Sequence, residues 1–116
     1  MAKKRTYKQR VVDIAMTYEQ AKVALSCSRD HHKKAIEADL TLKSGQQLRK
    51  LHYDKAVYEI TAIEGYYHTQ WDDLNELYEK HEYDKKLVVE SRSMMNGIWD
   101  EAQEFRIQLN RERKVQ

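Results

Sequence analysis

The chain has 116 residues, of which 41% are hydrophobic and 34% charged, and its formal net charge is +2. That length fits one domain, and the surplus of charge suits helices that each bury one stripe and solvate the rest. Eleven aromatic residues argue against disorder, and no apolar run approaches the roughly 20 residues needed to span a bilayer.

The charge is unevenly spread. Residues 1–10 hold five cations and no acid, and residues 46–84 hold four cations against nine acids. The chain is basic at both tips and acidic in the middle, a pattern that allows the tips to contact an anion or copies to associate head to tail. With no proline and only three glycines, little in it breaks a long helix.

Residues 1–5 read as a basic arm and 6–113 as a single helical-bundle domain. Thr6-Tyr-Lys-Gln9 fits a capping box, in which the threonine hydroxyl and the glutamine amide each satisfy the other's backbone N–H. Val11, Ile14, Tyr18, Ala21 and Leu25 follow at steps of three and four, a helical seam. The stripe thins across Ser26–Lys34 and resumes at Ala35, Ile36, Leu40 and Leu42. No Gly or Pro interrupts it, so the first helix is expected to run over 6–43.

Ser44-Gly45 reads as the boundary. Gly45 is expected to end the helix in the left-handed conformation, and Ser44 with Gln47 forms a second capping box. A second helix over 46–82 carries Tyr53, Val57, Ile60, Tyr67, Trp71, Leu74 and Tyr78 on its seam, widened by Ala56, Ile63 and Leu77. Glu79–Lys86 is poor in apolar residues, and a turn near Asp84 is expected to start a third helix over 85–113. That helix has the cleanest seam: Val88, Met95, Ile98, Ala102, Phe105 and Leu109, with Ser91 in the one polar slot. The seam passes through Asn96-Gly97 unshifted, so Gly97 reads as helical and as a place where another backbone can approach.

The expected fold is therefore all-α: an elongated, antiparallel, coiled-coil-like three-helix bundle, each helix roughly 45–55 Å long at 1.5 Å per residue. The alternative is helix 1 packed on one long helix over 46–113 that dimerises, because the second seam continues into the third by heptads.

Chemistry-bearing constellations are sparse. Glu64, His68 and Asp72 have helical metal-ligand spacing, yet no Glu-x-x-His or His-x-x-x-His pair accompanies them, so they read as a polar face. His31 and His32 are adjacent and point about 100° apart on a helix. They suit a pH-sensitive contact better than a shared metal. Cys27 has Arg29 and His31 nearby but reads as a small apolar residue. No nucleophile elbow, phosphate loop or Cys-x-x-Cys pair occurs. The expectation is a protein that is not an enzyme and uses no cofactor or metal. A lone cysteine forms no internal disulfide, and the polar start lacks a leader's apolar core, so a cytoplasmic location is expected.

Two surfaces remain. Lys3, Lys4, Arg5, Tyr7, Lys8 and Arg10 interleave cations with an aromatic, a composition suited to phosphate neutralisation and base stacking. Tyr58, Tyr66, Trp71 and Trp99 exceed what narrow seams bury and suit a protein interface. The leading expectation is a helical protein–protein interaction or assembly protein that self-associates. The second is a nucleic-acid accessory factor working through its basic arm. No membrane partner is expected.

Overall fold

The computed structural model describes residues 6–79 and 85–114. Three helices account for nearly all of them: α1 (Tyr7–Glu37), α2 (Lys43–Glu79) and α3 (Lys85–Lys114). The basic arm, with Lys3, Lys4 and Arg5, the turn expected near Asp84 and the side chain of Tyr78 lie outside the described residues.

Interhelical contacts give the topology. Arg10 meets Glu76 and Ser28 meets Ala56, so α1 and α2 run antiparallel. Asp54 pairs with Arg113, and Tyr67 lies against Trp99, so α2 and α3 are antiparallel too. The result is a rod of 60 × 30 × 16 Å. Because α3 lies back along α2, one continuous helix over 46–113 is excluded. The heptad continuity between the two seams arises because both helices face the same core.

Local chemistry sets the first helix start as expected. Thr6 Oγ1 accepts from the Gln9 N–H at 3.1 Å, and Gln9 Oε1 accepts from the Thr6 N–H at 2.8 Å. The helix runs unbroken through Ser26–Lys34 but stops at Glu37, six residues before the expected end. The stop belongs to Asp39. Its carboxylate accepts from the Thr41 N–H at 3.0 Å and from the Thr41 hydroxyl at 2.6 Å. Such a side-chain turn offers the backbone an alternative to the helical ladder. These bonds also hold the Asp39 carboxyl below its usual range.

Gly45 consequently has a different role from the one expected. It lies in the first turn of α2, and Ser44 is helical, so neither a left-handed stop nor a second capping box exists there. Glycine is needed because the Asp39 backbone crosses against it. A Cβ would run into the Asp39 carbonyl oxygen and sit 2.6 Å from the carbonyl carbon. The close approach expected at Gly97 is absent, since nothing lies within 4 Å of a Cβ built there.

The seams form the core. Ala21, Leu25, Tyr53, Ala56, Ile60, Ile63, Met95, Ile98, Ala102 and Leu109 belong to one buried cluster, with Ile14, Leu74 and Leu77 in a second. Each fully buried Ile, Leu or Met contributes about 1.5–3 kcal/mol. Alanines at 21, 24, 56 and 102 keep the helices close. Buried Ser28 uses that proximity: its hydroxyl donates to the Ala56 carbonyl at 2.8 Å.

Two seam expectations fail. Of Ala35, Ile36, Leu40 and Leu42, only Ala35 is buried, because the chain turns away at residue 38. Trp71, placed on the α2 seam, is 41% exposed.

Candidate functional site

The six residues of the basic N-terminal set do not form one solvent-facing group. Tyr7 and Lys8 are exposed. Arg10 is only 1% exposed, and its guanidinium lies 3.5 Å from Glu76. It therefore belongs to the α1–α2 packing and is withdrawn from the phosphate-facing set. Arg113 pairs with Asp54 at the other end of the rod, and Arg106 with Glu64 at 3.9 Å.

Glu64, with its helical metal-ligand spacing, is thus engaged by Arg106. His68 lies edge-on to the Tyr67 ring at 5.8 Å. Among the described residues, no group of three His, Cys, Asp or Glu side chains could hold a metal ion.

The four expected interface aromatics divide between surfaces and do not share one face. Trp99 packs on Tyr67 with ring centres 4.6 Å apart. The Arg92 guanidinium lies 3.2 Å from the centre of the Trp71 ring and donates to the Tyr67 hydroxyl at 3.2 Å. Trp99 is therefore tied into the α2–α3 seam by stacking, and Trp71 stands at its exposed edge, held by cation–π attraction to Arg92. Tyr66 lies on the α1 side of α2, and Tyr58 is 72% exposed.

Tyr66 lines a groove between α1 and α2 with a volume of about 500 Å³. Its α1 wall is built from Val12, Ala15, Met16 and Val23. Met16 and Val23 are 56% and 59% exposed. Glu19 and Glu59 are the charged residues that line it. This face escaped the sequence reading because one seam on α1 already explained the burial. The signal was present but broken: Val12, Met16 and Val23 fall at steps of four and seven on the opposite side of the same helix, with Glu19 in the slot between them.

A second cavity, of about 290 Å³, opens between α1 and α3, with Val11, Ile14, Tyr18, Leu87 and Met94 on its walls. The Gln70 amide at its edge is buried, and its Nε2 has no hydrogen-bond partner among the described residues.

His31, His32 and His52 gather near the α1–α2 connection. His31 Nδ1 and His52 Nδ1 are 3.1 Å apart, and their ring centres are 5.3 Å apart. That is nearly the largest ring separation a nitrogen contact of that length permits, so the two nitrogens point at each other. The in-line geometry suits one shared proton, with one ring donating and the other accepting. A metal would need the two donors to converge on it at an angle. Burial first, then His31, Lys34 and Lys55, hold His52 below the usual histidine range. His32 turns to α3 instead, where its Nε2 lies 3.0 Å from the Glu112 carboxylate. The Tyr53 hydroxyl donates to the same carboxylate at 3.5 Å. Burial, followed by Glu112, pushes the Tyr53 phenol above its ordinary value. His52 is the member that sequence reasoning missed, because its proximity to His31 depends on the register of two helices.

No helix among the described residues is long and apolar enough to cross a membrane. No protein family, curated protein or solved structure matches the chain.

Proposed function

We propose that this chain is a non-enzymatic helical assembly protein that works by docking a helical segment of another chain onto the outer face of α1. One observation carries the reading. Between Val11 and Leu25, α1 carries apolar side chains on two faces, Ile14, Ala21 and Leu25 on one and Val12, Met16 and Val23 on the other, more than a helix with a single buried stripe needs. Its own chain covers only the side bearing Ile14, Ala21 and Leu25, and leaves Val12, Met16 and Val23 in solvent. An apolar groove of this kind is the shape in which amphipathic segments dock, through anchors at i, i+4 and i+7.

The test is the assembly state of the full chain and of complexes isolated with it. Met16→Lys places a charge in the groove and is expected to weaken association by roughly thirtyfold, the effect of an interface hot spot of about 2 kcal/mol. Ile107→Lys, at a site equally exposed but on α3, is expected to leave it unchanged. Association insensitive to Met16→Lys, or a chain that is monomeric and co-isolates with nothing, would overturn the proposal.

The reading as a nucleic-acid accessory factor rests on fewer residues than the sequence offered. Arg10 is committed to Glu76, and the cations at the end of α3 lie at the opposite end of the rod from Lys8.

A further inference from the structure

The groove on α1 is not the only apolar surface this chain leaves uncovered. At the end of the rod where α1 turns into α2, Ile36, Leu40, Leu42, Leu48 and Leu51 are all exposed. They come from the last turn of α1, the connection and the first turns of α2. Gln46 Nε2 donates to the Leu40 carbonyl at 3.0 Å, which ties the connection to α2.

The two surfaces carry opposite charge. Near the tip, Lys33, Lys34 and Lys43 are exposed against Glu37 and Asp39, and the Asp39 carboxylate is taken up by Thr41; Arg49 lies instead over the Tyr53 ring and donates to the Glu112 carbonyl. The groove is flanked by Glu19 and Glu59. Lys22 lies 3.8 Å from Glu19, but both side chains are more than half exposed. An ion pair so open to water contributes little and leaves the glutamate available.

We propose that the occupant of the groove is the tip of a second copy of this chain: the leucine-bearing connection of one molecule seats on the Val12–Met16–Val23 face of the next. This rests on the docking role assigned above to that face and names its partner. Three considerations lead to a copy of this chain. Apolar patches of complementary charge on a single molecule satisfy each other between molecules. They cannot do so within one, since Val23 and Ile36 are thirteen residues apart on the same straight helix, about 20 Å at 1.5 Å per residue. A symmetric pairing of two grooves is disfavoured, because it brings each Glu19 close to its own symmetry mate. The contact is therefore heterologous, tip to side, and propagates into an open array unless the rotation closes it.

The experiment is sedimentation of the full chain over a range of concentrations, at low and at moderate salt. The wild-type chain is expected to associate past the dimer and to do so more weakly as salt rises, because the contact is charge-assisted. Met16→Lys removes the groove, and Leu40→Asp with Leu42→Asp removes the tip. Each variant alone is expected to associate at least roughly thirtyfold more weakly. Mixed together they are expected to form a one-to-one dimer and nothing larger, because each supplies the surface the other lacks. Circular dichroism of each variant establishes that it is folded before mixing.

Three results would overturn the inference: a wild-type chain that stays monomeric throughout, a mixture that stays monomeric, or self-association that survives loss of the tip. The first and third leave the groove free for a different chain, and a complex isolated with wild type but lost with Met16→Lys would then show that the docking role stands without self-assembly.

Discussion

The three glycines make opposite predictions under the same substitution, and their comparison tests the packing of the α1–α2 connection. In a helix, Gly→Ala is ordinarily stabilising by about 0.5–1 kcal/mol, through lower backbone entropy in the unfolded chain. Gly65 and Gly97 lie within α2 and α3, and nothing is within 4 Å of a Cβ built at either. Gly65→Ala and Gly97→Ala should each stabilise by that amount. Gly45 is also helical, and propensity alone gives it the same sign. Its Cβ, however, would meet the backbone of Asp39, 2.6 Å from the carbonyl carbon and 3.1 Å from the nitrogen. A crossing backbone cannot swing aside as a side-chain tip can. Overpacking of this kind costs about 1–3 kcal/mol. The Asp39 carbonyl also accepts from the Leu42 N–H at 3.2 Å, and losing that bond adds about 1 kcal/mol. Net of the propensity gain, Gly45→Ala should destabilise by about 1–3.5 kcal/mol. Urea unfolding followed by circular dichroism reads this directly, with an unchanged slope showing that the unfolded state is the same. A Gly45→Ala chain as stable as the other two variants would refute the close crossing of Asp39 over α2.

Other expectations concern the polar contacts. His52 is held below the usual histidine range, so the folded chain binds fewer protons there than the unfolded chain does. The stability it contributes is present above about pH 6.5 and is lost as pH falls through the lower folded value. The melting temperature should therefore fall between pH 7 and pH 5, with His31 and Lys34 on α1 and Lys55 on α2 adding to the cost of charging His52. His52→Asn should flatten that dependence, and an equally steep profile in the variant would rule the pair out as its source. Asp39, held low by Thr41, acts only in the carboxylate range and leaves this window clear. Arg10→Ala should cost at least about 2 kcal/mol of stability in denaturant unfolding, since it strips a buried side chain from the α1–α2 seam; a neutral result would return Arg10 to the surface set. Trp71→Ala should cost about 0.5–2 kcal/mol by freeing the Arg92 guanidinium and should leave association unchanged in sedimentation, whereas a loss of association would restore Trp71 as an interface anchor.

What could be read in the chain depended on whether the relevant interaction was local. The Thr6–Gln9 capping box and the α3 seam of Met95, Ile98, Ala102 and Leu109 involve residues within a few turns of one another. Their spacing alone determines a helix start and a buried stripe. The same holds for the continuity of α1 through its polar stretch, whereas spacing alone also allowed one helix over 46–113, and only the packing of α3 back along α2 excludes it. The end of α1 was misplaced for the same reason: Ser44-Gly45 is the stronger turn dipeptide, yet the Asp39–Thr41 turn acts first, and the glycine serves a crossing made by residues six positions back.

Everything that required two helices in register belonged to the tertiary structure. Sequence could mark Arg10 as a cation but not show that it is buried against Glu76. It could count five histidines but not show that His31 meets His52 while His32 meets Glu112. It placed four aromatics in one interface class, and packing divided them between the α2–α3 seam and the opposite side of the rod. The uncovered face of α1 is the clearest case. A helix that is apolar on both sides shows that something must cover each side, but only the fold decides which side the chain covers itself. The physical reason is that hydrophobic burial is non-directional. A stripe specifies that it be removed from water, and the topology of the other helices specifies what removes it.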